Sequence, residues 1–179
     1  MTETIPLATP GIKSAGEGSV YFLPTIADPE SITLAEFAAG VPLSCTLDAW
    51  NPTPTQNAET FTKYCMKTTA ERAGTTTWQV APIRYEYDPT DLESEDFPHV
   101  DELTEGRIGF LVDRRGYESR SKVEAGQTVA LVLPVELGVR APVEISATTE
   151  GATHQLEQQV FVIGEPTQFA TVVATAPAG

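Results

Sequence analysis

Apolar residues along this chain recur mostly at every second position, in short runs interrupted by proline, glycine and asparagine. That is the period of half-buried β-strands. The runs cover residues 19–24, 41–48, 60–66, 77–87, 107–113, 128–136, 143–148, 154–163 and 169–173. So many short strands predict an all-β fold, a sandwich or barrel, with one or two short helices. In the run over 128–136, Val129, Leu131, Leu133 and Val135 share one face and Gly126-Gln127 makes the preceding turn, so this strand belongs at the centre of the core. In the run over 77–87 the phase reverses at Ala81-Pro82. Trp78 and Val80 lie on even positions, whereas Ile83, Tyr85 and Tyr87 lie on odd ones. A β-bulge accounts for the reversal and accommodates a proline that cannot donate to a ladder.

The period changes once, early in the chain. Ala27-Asp28-Pro29 ends the first run, because a residue before proline is pushed out of the α region. Thr33 and Glu36 then have the spacing of a capping box, Leu34 and Phe37 form one apolar face, and Gly40 is positioned for a left-handed cap. A second short helix is expected over residues 99–103, at the end of an acidic loop.

Composition narrows the function. The 179 residues suffice for one domain with a core, and 41% hydrophobic against 20% charged residues argues for a folded body. The expected organisation is an N-terminal arm over 1–17, a single β-domain over 18–164 and a C-terminal strand and tail over 165–179. A formal net charge of −14, from 25 acidic and 11 basic residues, argues against tight nucleic-acid binding. No run approaches the roughly 20 apolar residues of a membrane span, and no signal-peptide pattern opens the sequence, so the chain is expected to fold in the cytoplasm. There Cys45 and Cys65 are free thiols by default. An antiparallel pairing of 41–48 with 60–66, centred near Thr55, would set the two sulfurs opposite each other.

No constellation of an enzyme is present. His99 and His154 are the only histidines, neither lies in a nucleophile motif, and there is no phosphate-cradling glycine loop. No cofactor or metal is expected either, since His99, Asp101 and Glu102 on one short helix do not converge on an ion. The chemistry lies in charge instead. Asp88, Asp91, Glu93, Glu95, Asp96, Asp101, Glu102 and Glu105 occur without an intervening cation, and Arg107, Arg114, Arg115, Arg120 and Lys122 follow just downstream. Two readings stay open: two solvent faces, or head-to-tail contact between the acidic loop of one copy and the basic stretch of the next.

The segment GSVYFLPTIADPESITLAEFAAGVPLSCTL resembles the opening of the tail tube proteins, or major tail proteins, of long non-contractile tailed phages of actinobacteria. The resemblance continues through the loop over 51–56, YCMKTTAERAGTTTWQ, RIGFLVDRRG and HQLEQQVFVIGEP. It implies a β-sandwich or barrel flanked by a short helix, homohexameric rings, and rings stacked into a tube through which phage DNA is ejected. Further partners implied are the tape measure, tail-completion and tail-tip proteins. The virion tail is the implied location, reached by assembly in the host cytoplasm.

Within that family an acidic lumen has a physical reason. Duplex DNA carries one negative charge per roughly 1.7 Å, so a basic wall would hold it and an acidic wall lets it slide. Glu86, Asp88, Asp91, Glu93, Glu95, Asp96, Glu136 and Glu157 are the candidates for the lumen or the inter-ring face. Arms and loops that order on stacking are expected over 1–17, 50–59, 68–76 and 165–179. Two other readings remain: an acidic binding module, for capsid decoration or adhesion, that displays Trp50, Trp78, Tyr85 or Tyr117, and a tail-completion protein that caps the tube.

Overall fold

The computed structural model describes residues 16–44, 46–47, 50–65, 67–92, 96–143 and 153–175. Most of the expected N-terminal arm, most of the expected strand over 143–148, Cys45, Glu93 and Glu95 lie outside the described residues. The described chain is β-rich, as the alternation predicts, with two short helices. Strands β1 (Gly18–Leu23), β2 (Ser31–Thr33) and β3 (Val41–Pro42) surround helix α1 (Leu34–Ala39). Strands β4 (Pro52–Phe61), β5 (Ala70–Val80) and β6 (Ile83–Glu86) follow, then helix α2 (His99–Glu102). The chain continues through β7 (Ile108–Arg115), β8 (Thr128–Pro142), β9 (Gln155–Val162) and β10 (Thr167–Val173).

Strand β8 organises the sheet. One of its edges holds β7, from Ile108 opposite Glu136 to Asp113 opposite Leu131. The other is shared: β10 pairs with its first part, Thr171 opposite Thr128, and β9 with its second, Val162 opposite Val135. β1 lies on β7 and carries β3, β6 lies on β9, and β2 runs parallel to β10. These eight strands form one sheet, which curls into a half-barrel.

The central strands are buried on both faces. One face gathers Phe22, Leu111, Leu133, Val135 and Leu137 against Ile83 and Tyr85 of β6 and Val100 and Leu103 at α2. The other gathers Leu23, Val112, Val132 and Val172 under Phe37 of α1. Each fully buried leucine contributes about 1.5–3 kcal/mol relative to its exposed state. Leu131, Leu133 and Val135 share a face as the alternation predicts, but Val129 packs with the cluster under α1.

The capping box forms as read from Thr33 and Glu36. The Thr33 amide donates to Glu36 Oε2 at 2.7 Å and the Glu36 amide donates to Thr33 Oγ1 at 3.2 Å. Glu36 Oε1 also accepts from the Ala27 amide at 2.7 Å, which pins the turn before β2. Burial tends to raise the Glu36 carboxyl, but the hydrogen bonds from Thr33 and Ala27 outweigh it and hold the group below its ordinary 4.5. A depressed folded-state value means that this stabilisation is complete above 4.5 and is lost as the pH falls through the lower folded value. Wild-type protein should therefore lose melting temperature below pH 4.5 more steeply than a Glu36→Gln variant, measured by thermal circular dichroism across the acid range.

Four expectations are corrected. Gly40 is extended (φ −90, ψ 168) rather than left-handed. A Cβ there would stand 2.9 Å from the Phe22 carbonyl oxygen, so the glycine serves close backbone approach. Ala81-Pro82 is a change of sheet rather than a bulge, because β5 ends at Val80 and β6 joins the main sheet at Ile83. The run over 41–48 shortens to Val41–Pro42, since Leu43 turns inward and Ser44 Oγ accepts from the Val20 amide. Its pairing with 60–66 does not form: β4 pairs with β5 in a separate two-stranded sheet, Thr55 opposite Thr77, and Cys65 is an exposed free thiol beyond the end of β4.

Candidate functional site

The segments read as loops over 50–59 and 68–76 form the β4–β5 ribbon. Its strands are rich in threonine and polar on both faces, and residues 53–60 are exposed throughout. At the base, Trp50, Trp78 and Val80 pack against the core, and Trp50 Nε1 donates to Asp113 Oδ2 at 2.9 Å. Midway, a bulge at Gln56/Ala58 faces Gly74, where a Cβ would meet the Asn57 carbonyl oxygen at 2.8 Å. At about 3.3 Å per residue the strand of ten residues reaches roughly 30 Å from that base. Lys63, Tyr64 and Lys67 are exposed at the far end, so the tip is basic on a chain that is otherwise acidic.

The candidate acids fall into two groups. Glu157 opposes Arg84 across β9 and β6, with an ion pair of 2.7 Å, and Glu86 lies two residues along the same face of β6, accepting from Thr153 Oγ1 at 2.9 Å. Continuing along that face of β9, Phe161 is opposite Glu136, and Glu136 is opposite Ile108. Glu86, Glu136 and Glu157 thus share one sheet face, which no helix covers among the described residues. It is also apolar in part, with Ile108 60% and Phe161 56% exposed and Ile163 close by at Pro134. The second group, Asp88, Asp91 and Asp96, lies between β6 and α2. Hydrogen bonds from the Thr90 hydroxyl and amide hold the Asp88 carboxyl below its usual value.

This acidic segment returns to the sheet through a firmly held helix. Buried Gln158 donates to the Leu103 and Gly138 carbonyls and accepts from the Tyr85 hydroxyl at 3.1 Å. Arg140 donates to the Val100 carbonyl and Arg107 to that of Glu102. His99 Nε2 is 2.8 Å from the Glu86 carbonyl oxygen, and burial lowers its affinity for a proton, which favours the neutral ring. Tyr85, offered as a displayed aromatic, is fully buried, and burial raises its hydroxyl above the ordinary tyrosine value.

The basic set does not form one face. Arg107 pairs with Glu102 at 2.6 Å and lies over the Phe22 ring. Arg115 pairs at 2.6 Å with Asp113, the same carboxylate that anchors Trp50. Arg114 is 0% exposed and is no surface cation. Its guanidinium donates to Ser19 Oγ, Gln127 Oε1, Ser121 Oγ and the carbonyls of Glu118, Ser121 and Lys122, at 2.9–3.4 Å. It therefore shapes the loop over 116–127, which carries exposed Arg120 and Lys122. The parity of β7 held this signal, since Arg114 falls in phase with buried Val112.

Exposed apolar side chains, a polar ribbon and separated charge of both signs are the features of a chain built to contact other chains. The family model for phage tail tube proteins matches residues 7–175. No curated protein matches the chain. With nearly the whole length covered, the chain belongs to the phage tail tube protein family and is a structural component of a phage tail.

Proposed function

We propose that this chain forms hexameric rings that stack into the tube of a long non-contractile tail, and that phage DNA passes through that tube into an actinobacterial host. The observation that carries the reading is the β4–β5 ribbon. A two-stranded hairpin is marginal by itself in water, and this one has exposed faces along most of its length, so a neighbouring chain is its natural support. Stacking is a heterologous contact, which repeats without closing and so elongates a tube. The basic tip at Lys63 and Lys67 suits an acidic neighbour, and Arg115, Arg120 and Lys122 offer a second basic surface for contact within or between rings.

Glu86, Glu136 and Glu157 on their shared face are the leading lumen acids, with Asp88, Asp91, Glu93, Glu95 and Asp96 at the lumen mouth or the inter-ring face. Repulsion between these groups and the phosphates keeps DNA from adhering during transit. The tape measure, tail-completion and tail-tip proteins are the other partners, and assembly takes place in the host cytoplasm. Negative-stain microscopy of the concentrated protein tests the reading. Rings with six-fold symmetry, or tubes of uniform diameter, are the expected result; dispersed particles under every condition tried would overturn it.

A further inference from the structure

An open groove of about 700 Å³ lies between the base of the ribbon and the start of β8. Pro52, Pro54 and Trp78 form one wall, and Arg115, Tyr117 and Phe169 the other. Phe169 is 73% exposed, and its φ of 59° lies in the left-handed region, which a bulky side chain rarely adopts. Backbone strain of that kind clusters at ligand clamps and switches. Cations border these aromatic walls. The Arg115 side chain is 61% exposed although it pairs with Asp113, and Arg120 and Lys122 are exposed on the loop that follows Tyr117. With Asp113, Glu118 and Glu124 counted, residues 113–124 still carry a positive net charge, on a chain of net −14.

We propose that this groove receives the acidic segment between β6 and α2 of a second copy of the chain, with Leu92 seated among the aromatic rings. Chemistry favours this occupant. Leu92 is 52% exposed, and in sequence it follows Asp88 and Asp91, so it presents an apolar anchor beside negative charge. The groove is the complement, an aromatic cleft beside positive charge. An anchor that fills an aromatic cleft supplies affinity, and charges of opposite sign at the rim set orientation and exclude wrong partners.

Placement favours it as well, and it excludes the same chain as donor. The groove lies at the Thr128 end of β8, whereas Arg140, near the other end, donates to the Val100 carbonyl at 2.8 Å and holds α2 there. His99 Nε2, 2.8 Å from the Glu86 carbonyl oxygen, fastens the root of the acidic segment to the same end. At about 3.3 Å per residue the two ends are up to roughly 40 Å apart along the strand. None of the described residues over 86–105 lines the groove. Complementary surfaces at opposite ends of one strand make a heterologous contact, which repeats head to tail from copy to copy. The contact rests on the tube proposed above, and it names two of the surfaces that meet when copies assemble.

The test places a photoreactive benzoylphenylalanine at Leu92 of the full chain and irradiates a concentrated mixture of nitrogen-14 and nitrogen-15 chains, with microscopy of the same sample. The expected product joins isotopically different chains, from position 92 to peptides bearing Trp78, Tyr117 or residues 167–170. Phe169→Gly removes the ring and relaxes the backbone, so the protein should keep or gain thermal stability while the yield falls about tenfold. Arg120→Glu with Lys122→Glu, both on the surface, should lower the yield by about the same factor. Cross-links within one chain or to other surfaces, in a sample that shows rings or tubes, would overturn this contact and leave the tube standing. A yield indifferent to either change overturns it too, and dispersed particles with no cross-link between chains overturn both the contact and the tube.

Discussion

Replacing Arg114 with alanine should lower the free energy of unfolding by about 3–5 kcal/mol, as read from the urea midpoint at unchanged slope. The guanidinium is fully buried and meets six acceptors on β1 and on the loop over 116–127. Truncation leaves the Glu118, Ser121 and Lys122 carbonyls without this donor, and a buried polar group that loses its partner costs about 1–3 kcal/mol. Arg114→Lys is the informative companion. It keeps the charge but not the planar fork, so it should recover only a minor part of the loss. A cost under about 1 kcal/mol for Arg114→Ala would show that water replaces these contacts and that the loop is not organised from beneath.

Removing the ribbon should have the opposite profile, with no loss of fold and complete loss of the tube. Thr55 and Thr77 are opposite each other, so an Asn-Gly turn can replace residues 56–76 and close the hairpin close to the body. Trp50, Trp78 and Val80 remain, and with them the packing of the base against the core. The shortened protein should melt within a few degrees of the wild type by circular dichroism and remain as monomers or single rings by microscopy. Tubes of ordinary length from this variant would exclude the ribbon as the stacking device, while leaving ring formation open to the face around Ile108, Glu136 and Phe161.

The contrast between these two regions explains what the sequence disclosed. Strands β1, β7, β8, β9 and β10 were legible because apolar residues recur along each in a short run bounded by turn residues, and their predicted limits agree with the observed ones to within a few positions except at the extended end of β8. The capping box was legible because two side chains and a spacing of three specify it. The ribbon was not. Its threonines and glutamates produce no apolar period, and Pro52 and Pro54 suggested a loop, although an edge strand tolerates proline where no ladder donor is required. Arg114 was misplaced for a related reason: a charged residue reads as exposed unless its phase along the strand is given priority.

The sites divide in the same way. That acids would dominate the surface followed from composition, but that Glu86, Glu136 and Glu157 meet on one face depends on the register of β6, β8 and β9, which pair residues far apart in the chain. The exposed Ile108 and Phe161 were visible as alternating apolar residues. Nothing local indicated that their side of the sheet lacks a cover among the described residues, whereas α1 shields the same strands further along.

The parallel match of β2 with β10 sets Ser31, Ile32 and Thr33 against Thr171, Val172 and Val173. During translation the early strand must therefore wait until residues 171–173 have left the ribosome before it gains its partner, and contacts of such long sequence separation are slow to form. A nascent subunit that has not yet released β10 lacks a finished sheet, so until then the order of synthesis itself holds back polymerisation on polysomes.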